Sequence, residues 1–510
     1  MCMDLHLFLW YAFTTATPNN IRLIFLQLTC DIRLIFLQSP PVIRLNNLQS
    51  PFNIRLIFLH LHLTTRLCFA TLLSKGSVIL LKRKLEKQLI EWKNNSDRNP
   101  LVVKGARQVG KTFLIDKFCK ENYKHYYFID FNESPNFKNV FEGNLDKTSI
   151  IKNLTLEIPD LILKAGETVI FLDEIQNCPN ARTALKFLAK DERFDIISSG
   201  SLLGINYKEV TSFPVGYTDH LEMHSLDFEE FCWANGFGED ALNIIEDCYN
   251  NKQPVPISGH NRMFSLFKEH IVVGGMPRVV NEFIKNHNFG NVLRIQRAII
   301  EDYKDDIAKY ATGNDKAKAR NCFLSITRQL AKEHKKFQYS VVEKGGTSRK
   351  YAGALMWLYD AGIINFCYNL TVPELPLEGH SKDSEFKVYM RDTGLLVAML
   401  EDGSQANIIK GNLGIYKGAI YENIIADVLT KLCKKLYYFE KTNRLEVDFI
   451  IRQNDEPVGL EVKSGDNTKA KSLDSLTSFW GLNKGIKLTS GNLRVTNKIE
   501  VIPLYMAMFL

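Results

Sequence analysis

The tightest constraint on this chain is a run of eight residues, Gly105-Ala106-Arg107-Gln108-Val109-Gly110-Lys111-Thr112. Two glycines separated by four residues are followed at once by Lys and Thr, the pattern of a phosphate-cradling loop. Gly105 and Gly110 permit backbone conformations that a Cβ forbids, so successive N–H groups point inward at phosphate oxygens. Lys111 supplies positive charge for the β- and γ-phosphates, and the Thr112 hydroxyl completes the shell of a Mg²⁺ ion. A helix expected over residues 111–121 sets its positive end against the phosphates. All eight residues are assigned to nucleotide binding, with ATP and Mg²⁺ as the implied ligands.

The surroundings agree with that reading. Leu101-Val102-Val103-Lys104 is a short apolar run of the kind buried in a parallel sheet, and residues 125–131 read as a second strand. Thr168-Val169-Ile170-Phe171-Leu172 reads as a third and ends in Asp173-Glu174. Carboxylates at that end of an open α/β sheet lie where its ligand binds. Asp173 is expected to hold the Mg²⁺ water shell, and Glu174 to polarise the attacking water as general base, with Lys111 as its catalytic partner. A fourth strand, residues 194–198, ends in Ser199-Gly200-Ser201. Ser199 either contacts the γ-phosphate or the water, or merely turns the chain; both readings stay open. A fifth strand is expected over residues 220–223. Strands alternating with helices of this length imply an α/β fold with helices on both faces of a parallel sheet.

This set of phrases, with Ser212-Phe213-Pro214-Val215-Gly216 and Leu226-Asp227-Phe228-Glu229-Glu230-Phe231, resembles the prokaryotic AAA-type ATPases that carry a conserved uncharacterised C-terminal region. The resemblance implies ATP hydrolysis and, because such sites usually need a neighbouring subunit, a homo-oligomer. Members usually have Arg after that Gly; here Tyr217 stands in its place, so no arginine finger is nominated. Gly274-Gly275-Met276-Pro277-Arg278 resembles the family's marker phrase, read here only as a glycine-permitted turn before a helix.

A length of 510 residues suits about three domains. The first 76 residues differ from the rest. Ile-Arg-Leu recurs at residues 21, 32, 43 and 54, a period of eleven. Pro40, Pro41 and Pro51 break any helical supercoil, and the recurring Arg leaves no apolar run able to span a bilayer. The expectation is a translated upstream tandem repeat outside the folded domains. Its five Arg and one Lys against two Asp carry +4 of the chain's +7, which leaves +3 for the remainder. Charge alone therefore makes no case for nucleic acid. Ten scattered cysteines without a CxxC pair suggest neither zinc nor disulfides, and fit a reducing cytoplasm. No membrane partner is expected.

An amphipathic helix is expected over residues 78–92, and a mixed-charge helix over 295–310. From residue 316 the expected order is a helix to 334, an extended piece at 339–342, a helix over 348–361 and strands at 363–368 and 386–390. That order reads as a winged helix, with Ser348, Arg349, Lys350 and Tyr351 placed for a DNA groove and Leu355, Met356, Trp357 and Leu358 for core.

The last hundred residues hold a second constellation. A helix over 417–433 contains Glu422. Two strands of a hairpin carry Glu446 and Asp448 on one face, and Glu461 and Lys463 on one face, because side chains alternate with period two. Asp448 and Glu461 are expected to hold a divalent metal, Glu422 to complete the cluster, and Lys463 to activate water against a phosphodiester. The element order is similar to the PD-(D/E)xK nuclease fold. A solvent-facing salt-bridged hairpin is the plainer alternative.

The expected division is a repetitive extension at 1–76, an AAA-type ATPase domain at 77–238, a helical and winged-helix region at 239–410 and a PD-(D/E)xK-like α/β domain at 411–510. Two functions remain open. One is an ATPase driving action on DNA, with nuclease chemistry at Lys463; the other is a nucleotide-gated switch whose C-terminal domain only grips nucleic acid or protein.

Overall fold

The computed structural model describes residues 80–510 apart from 202–215, 311–314, 333–334, 413–416, 442–444, 464, 466–470 and 497. The expectations for residues 1–76 and for most of Ser212-Phe213-Pro214-Val215-Gly216 lie outside the described residues. Five strands build the first sheet: β1 (Leu101–Lys104), β2 (His125–Asp130), β3 (Thr168–Asp173), β4 (Asp195–Gly200) and β5 (Asp219–Glu222). All are parallel, in the order β2-β3-β4-β1-β5. Val103, Val169, Phe171 and Ile197 face the core shared with helix Lys111–Asn122. Val102, Ile170, Leu172 and Ile196 face a second core beside helix Pro179–Leu188. Apolar cover on both faces is why β3 runs Val-Ile-Phe-Leu without alternation.

The first described helix is Leu85–Asn94, later than the start at 78 that amphipathic spacing suggested. Leu80 is exposed and Leu81 takes its place in the core. Arg83 explains the delay. Its buried guanidinium donates to Glu230 Oε1 at 3.1 Å, Val109 O at 3.0 Å and His224 O at 2.7 Å, anchoring the chain before the helix begins.

Helices Ile257–Val273, Pro277–Asn286, Phe289–Tyr310 and Asp315–Leu330 follow. Residues Tyr339–Val342, expected extended, form one helical turn instead. Val341 N–H donates to Gln338 O and Glu343 N–H to Tyr339 O, closing the turn locally. The extended contact falls earlier, where Phe337 N–H donates to Phe386 O at 2.8 Å. Helix Ser348–Asp360 buries Tyr351, Ala354, Leu355 and Leu358, an i, i+3, i+4, i+7 stripe. Met356 is therefore exposed rather than core, and Tyr351 is buried rather than free for a groove.

The second sheet has eight strands: β6 (Ile364–Leu370), β7 (Ser381–Met390), β8 (Tyr437–Lys441), β9 (Leu445–Gln453), β10 (Glu456–Val462), β11 (Gly485–Thr489), β12 (Arg494–Thr496) and β13 (Ile499–Pro503). The order is β12-β13-β11-β10-β9-β8-β6-β7. The hairpin β6-β7 joins β8 through a parallel pairing, so the C-terminal sheet draws two strands from the segment before residue 411. Asn454 and Asp455 both take positive φ and make the tight turn between β9 and β10. Helix Lys417–Lys431 packs on this sheet in one core; helix Lys471–Phe479 lies against the other face.

Candidate functional site

The phosphate loop follows β1 directly. Gly105, Gln108 and Gly110 have φ of 158°, 65° and 96°, and a Cβ at Gly105 would lie 2.2 Å from Met223 O. The loop thus turns tightly against the end of β5, where only glycine fits. Lys111 Nζ donates to Gly105 O at 2.9 Å and Ala106 O at 2.8 Å. Burial pushes its amine down to about 8; Glu174 and Asp173 pull the other way, and Arg107 adds to the lowering.

β3 delivers the carboxylates to the same point. Thr112 Oγ1 donates to Asp173 Oδ2 at 2.6 Å, and Ser199 Oγ at the end of β4 donates to Asp173 Oδ1. Asp173 is buried, and Oδ1 also accepts from Glu174 N at 3.0 Å. Glu174 takes left-handed φ and ψ of 51° and 42°, an uncommon setting for a non-glycine residue that redirects its side chain from the strand. Gln176 Nε2 donates to Glu174 Oε2. Thr112 and Ser199 are thus gathered on the Asp173 carboxylate, and Glu174 acts electrostatically on Lys111.

Two outward side chains of the loop meet helix Phe289–Tyr310. Arg107 pairs with Asp306, Gln108 Nε2 donates to Asp302 Oδ2 at 2.7 Å, and Tyr303 OH donates to Arg107 O at 3.3 Å. Burial pushes the Asp306 carboxyl up to about 6, although Arg107 opposes the rise. The marker glycines sit behind the loop. A Cβ at Gly275 would lie 2.0 Å from Leu226 O, and one at Gly274 2.2 Å from Asp392 Oδ1. Asp392 in turn accepts from Gly275 N at 2.9 Å and Leu395 N at 3.0 Å. A narrow cavity here is lined by Ala106, Val109, Met223, His224, Tyr303 and Arg391.

The C-terminal acidic residues form a separate centre. Glu422, on helix Lys417–Lys431, is buried; it pairs with Lys335, and Tyr389 OH donates to its Oε2 at 3.2 Å. Asp448 Oδ2 accepts from Val462 N at 2.8 Å. Burial and Glu422 push the Asp448 carboxyl up to about 7, against Lys387, Lys335 and Lys463. Lys463 Nζ lies 2.8 Å from Glu461 Oε1, while the buried Glu461 Oε2 has no hydrogen-bond partner among the described residues. Among the described residues no group of three or more His, Cys, Asp or Glu is gathered to hold a metal ion. Lys387 is fully buried, 2.6 Å from Glu446 Oε1. Burial works against its charge, but Glu422, Glu446 and Asp448 outweigh it and hold the amine above the usual lysine range.

Lys335, Lys387, Tyr389, Arg83 and Gln176 are site residues that no motif in the sequence marks. Alternation along β7 pairs Lys387 with Tyr389 on one face, a signal that was available. Lys335, within the run Lys332 to Lys336, reads as ordinary solvated surface.

Three family models match the chain: an AAA domain over residues 97–232, a domain of unknown function (DUF8612) over 264–406, and a domain of unknown function (DUF4143) over 417–507. No curated protein matches it. Among solved structures it is similar to the Walker-type ATPase PABY2304 of Pyrococcus abyssi, at 15% identity and TM-score 0.37 over 63% of this chain and 96% of that one. It is similar to the Orc1 protein of Aeropyrum pernix in complex with DNA, at 13% identity and TM-score 0.28 over 65% and 95%. AMPPCP-bound DnaA from Aquifex aeolicus gives 14% identity and TM-score 0.25 over 56% and 91%. No described helix is long and apolar enough to cross a membrane.

Proposed function

We propose that this chain, with an AAA-type P-loop domain over residues 97–232, is an ATPase that couples ATP hydrolysis to action on DNA through its C-terminal region. The observation that carries the ATPase reading is the bond from Thr112 Oγ1 to Asp173 Oδ2 at 2.6 Å, which ties the phosphate loop to the carboxylate strand. The donors there, Thr112, Ser199 and Asp173, are all oxygen, a set that fits Mg²⁺. When bound, Mg²⁺ supplies charge that offsets the phosphates. Lys111 exchanges its hold on the Gly105 and Ala106 carbonyls for β- and γ-phosphate oxygens. Glu174, held by Gln176, takes the proton of the attacking water. The test is ATP turnover by wild type and Glu174→Gln. The variant binds ATP without turning it over; equal turnover removes Glu174 from this role.

The helix–turn–helix–hairpin order from Asp315 to Met390 supports a winged-helix reading, and exposed Ser348, Arg349 and Lys350 are its candidate DNA contacts. At the C-terminal centre, Asp448, Glu461 and Glu422 are the proposed metal ligands and Lys463 the group that orients water, in a PD-(D/E)xK-like fold. Glu461 Oε2, without a hydrogen-bond partner among the described residues, suits a divalent cation. Coupling is supported by β7, which carries Lys387 and Tyr389 into this centre and leads straight to Arg391 and Asp392 behind the phosphate loop. Homo-oligomers in the cytoplasm, completing each nucleotide site with a neighbouring copy, belong to the same reading.

The second reading, a nucleotide-gated switch that grips nucleic acid or protein without cutting, is favoured by the pairing of Glu422 and Glu461 with lysines. Metal-dependent cleavage of several DNA forms by wild type and Lys463→Ala separates them. Cleavage lost in the variant supports the nuclease; DNA binding without cleavage in wild type supports the switch.

A further inference from the structure

Both oxygens of Glu422 are engaged. One accepts Tyr389 OH at 3.2 Å and the other is taken by the Lys335 ammonium, which arrives from a segment 87 residues earlier, after helix Asp315–Leu330. Both members of the ion pair are largely buried. The two other carboxylates of the centre are differently placed. Asp448 receives the Val462 N–H, and Glu461 keeps a buried Oε2 without a hydrogen-bond partner among the described residues. One carboxylate thus carries an ammonium and another an oxygen without a partner, and among the described residues no three acids are gathered to hold a metal.

Like charges held close in a poorly solvated site repel strongly, so an ammonium and a divalent cation do not share one carboxylate without cost. We infer that Lys335 is a resident cation that competes with a divalent metal ion for Glu422, and so sets the metal affinity of the C-terminal centre. The inference rests on the reading of that centre as a metal site. Metal uptake then requires Lys335 to leave Glu422, and the helical region that supplies Lys335 governs the loading of the centre. Lys335 is a positioning residue in this scheme, since it acts through Glu422.

The test is Mn²⁺ binding to the full, nucleotide-free chain, by calorimetry and by the electron paramagnetic resonance of free Mn²⁺. Lys335→Met is expected to bind Mn²⁺ about tenfold more tightly than wild type, because the competing charge is gone. Glu461→Gln in the same background is expected to abolish the gain. Lys335→Gln, which keeps an amide donor for Glu422, serves if the methionine variant does not fold. Affinity in the Lys335 variants no tighter than wild type, with Glu461→Gln still removing the bound Mn²⁺, overturns the inference and leaves the metal reading standing. No Mn²⁺ uptake by any of these proteins defeats the metal reading, and this inference with it.

Discussion

Thr112 Oγ1 lies 2.6 Å from Asp173 Oδ2, a hydrogen bond between residues 61 apart in sequence. It joins the start of helix Lys111–Asn122, which follows β1, to the end of β3, two strands away in the sheet. Replacing Asp173 with Asn keeps the shape and removes the charge. ATP binding in the presence of Mg²⁺ then weakens at least about tenfold, while binding measured in EDTA changes little. Calorimetric titration of both proteins with and without Mg²⁺ checks this. Equal losses in the two conditions assign Asp173 a packing role only.

The lowered Lys111 amine gives a pH dependence. Its titration in the folded protein lies at about 8, below the usual lysine value, so the folded chain holds fewer protons than the unfolded chain above that pH. Folding stability from this group therefore rises with pH in that window, and the sign for ATP is opposite. Phosphate needs the charged amine, so ATP affinity falls as pH climbs above about 8, by up to about tenfold per unit. Binding near pH 8.5 takes up protons, visible as a heat that depends on the buffer's ionisation enthalpy. A flat affinity between pH 7 and 9.5 contradicts this assignment.

Asp306 faces Arg107 of the phosphate loop from helix Phe289–Tyr310. Asp306→Asn removes a buried negative charge from beside a site built for a polyanion. ATP affinity is expected to rise about three- to tenfold, roughly 1 kcal/mol, by fluorescent-nucleotide titration. Unchanged affinity shows that the helix contact is electrically silent towards the nucleotide.

Gly275 has no room for a side chain, since a Cβ would lie 2.0 Å from Leu226 O and 2.7 Å from Leu226 N. Gly275→Ala is expected to lose about 3 kcal/mol or more by denaturant unfolding. Gly353→Ala is the contrast. It lies inside helix Ser348–Asp360 with nothing within 4 Å of its Cβ, and gains about 0.5–1 kcal/mol. Equal effects at the two positions contradict the close packing of Gly275 against Leu226.

Sequence reading reaches what local chemistry encodes. Gly105, Gly110, Lys111 and Thr112 must be neighbours for a loop to cradle phosphate, and the Val-Ile-Phe-Leu run of β3 marks a strand buried on both faces. It fails where a charged residue has a distant partner. Arg83 and Lys335 look like surface residues until Glu230 and Glu422, 147 and 87 positions away, are brought to them. The turn at Tyr339–Val342 is illegible in the sequence for a related reason. Its β-branched residues favour extension, but the extended contact belongs to Phe337, paired across space with Phe386. Continuity of β6 and β7 with β8 likewise depends on a pairing no local pattern announces.

The most direct test of the central claim is equilibrium ATP binding to wild type and Lys111→Ala in the same Mg²⁺ buffer, at pH 7. The account predicts one ATP per chain for wild type and a loss of at least about a hundredfold in affinity for the variant, near 2.7 kcal/mol. A folded Lys111→Ala protein that binds ATP as tightly as wild type, with the same stoichiometry, contradicts it.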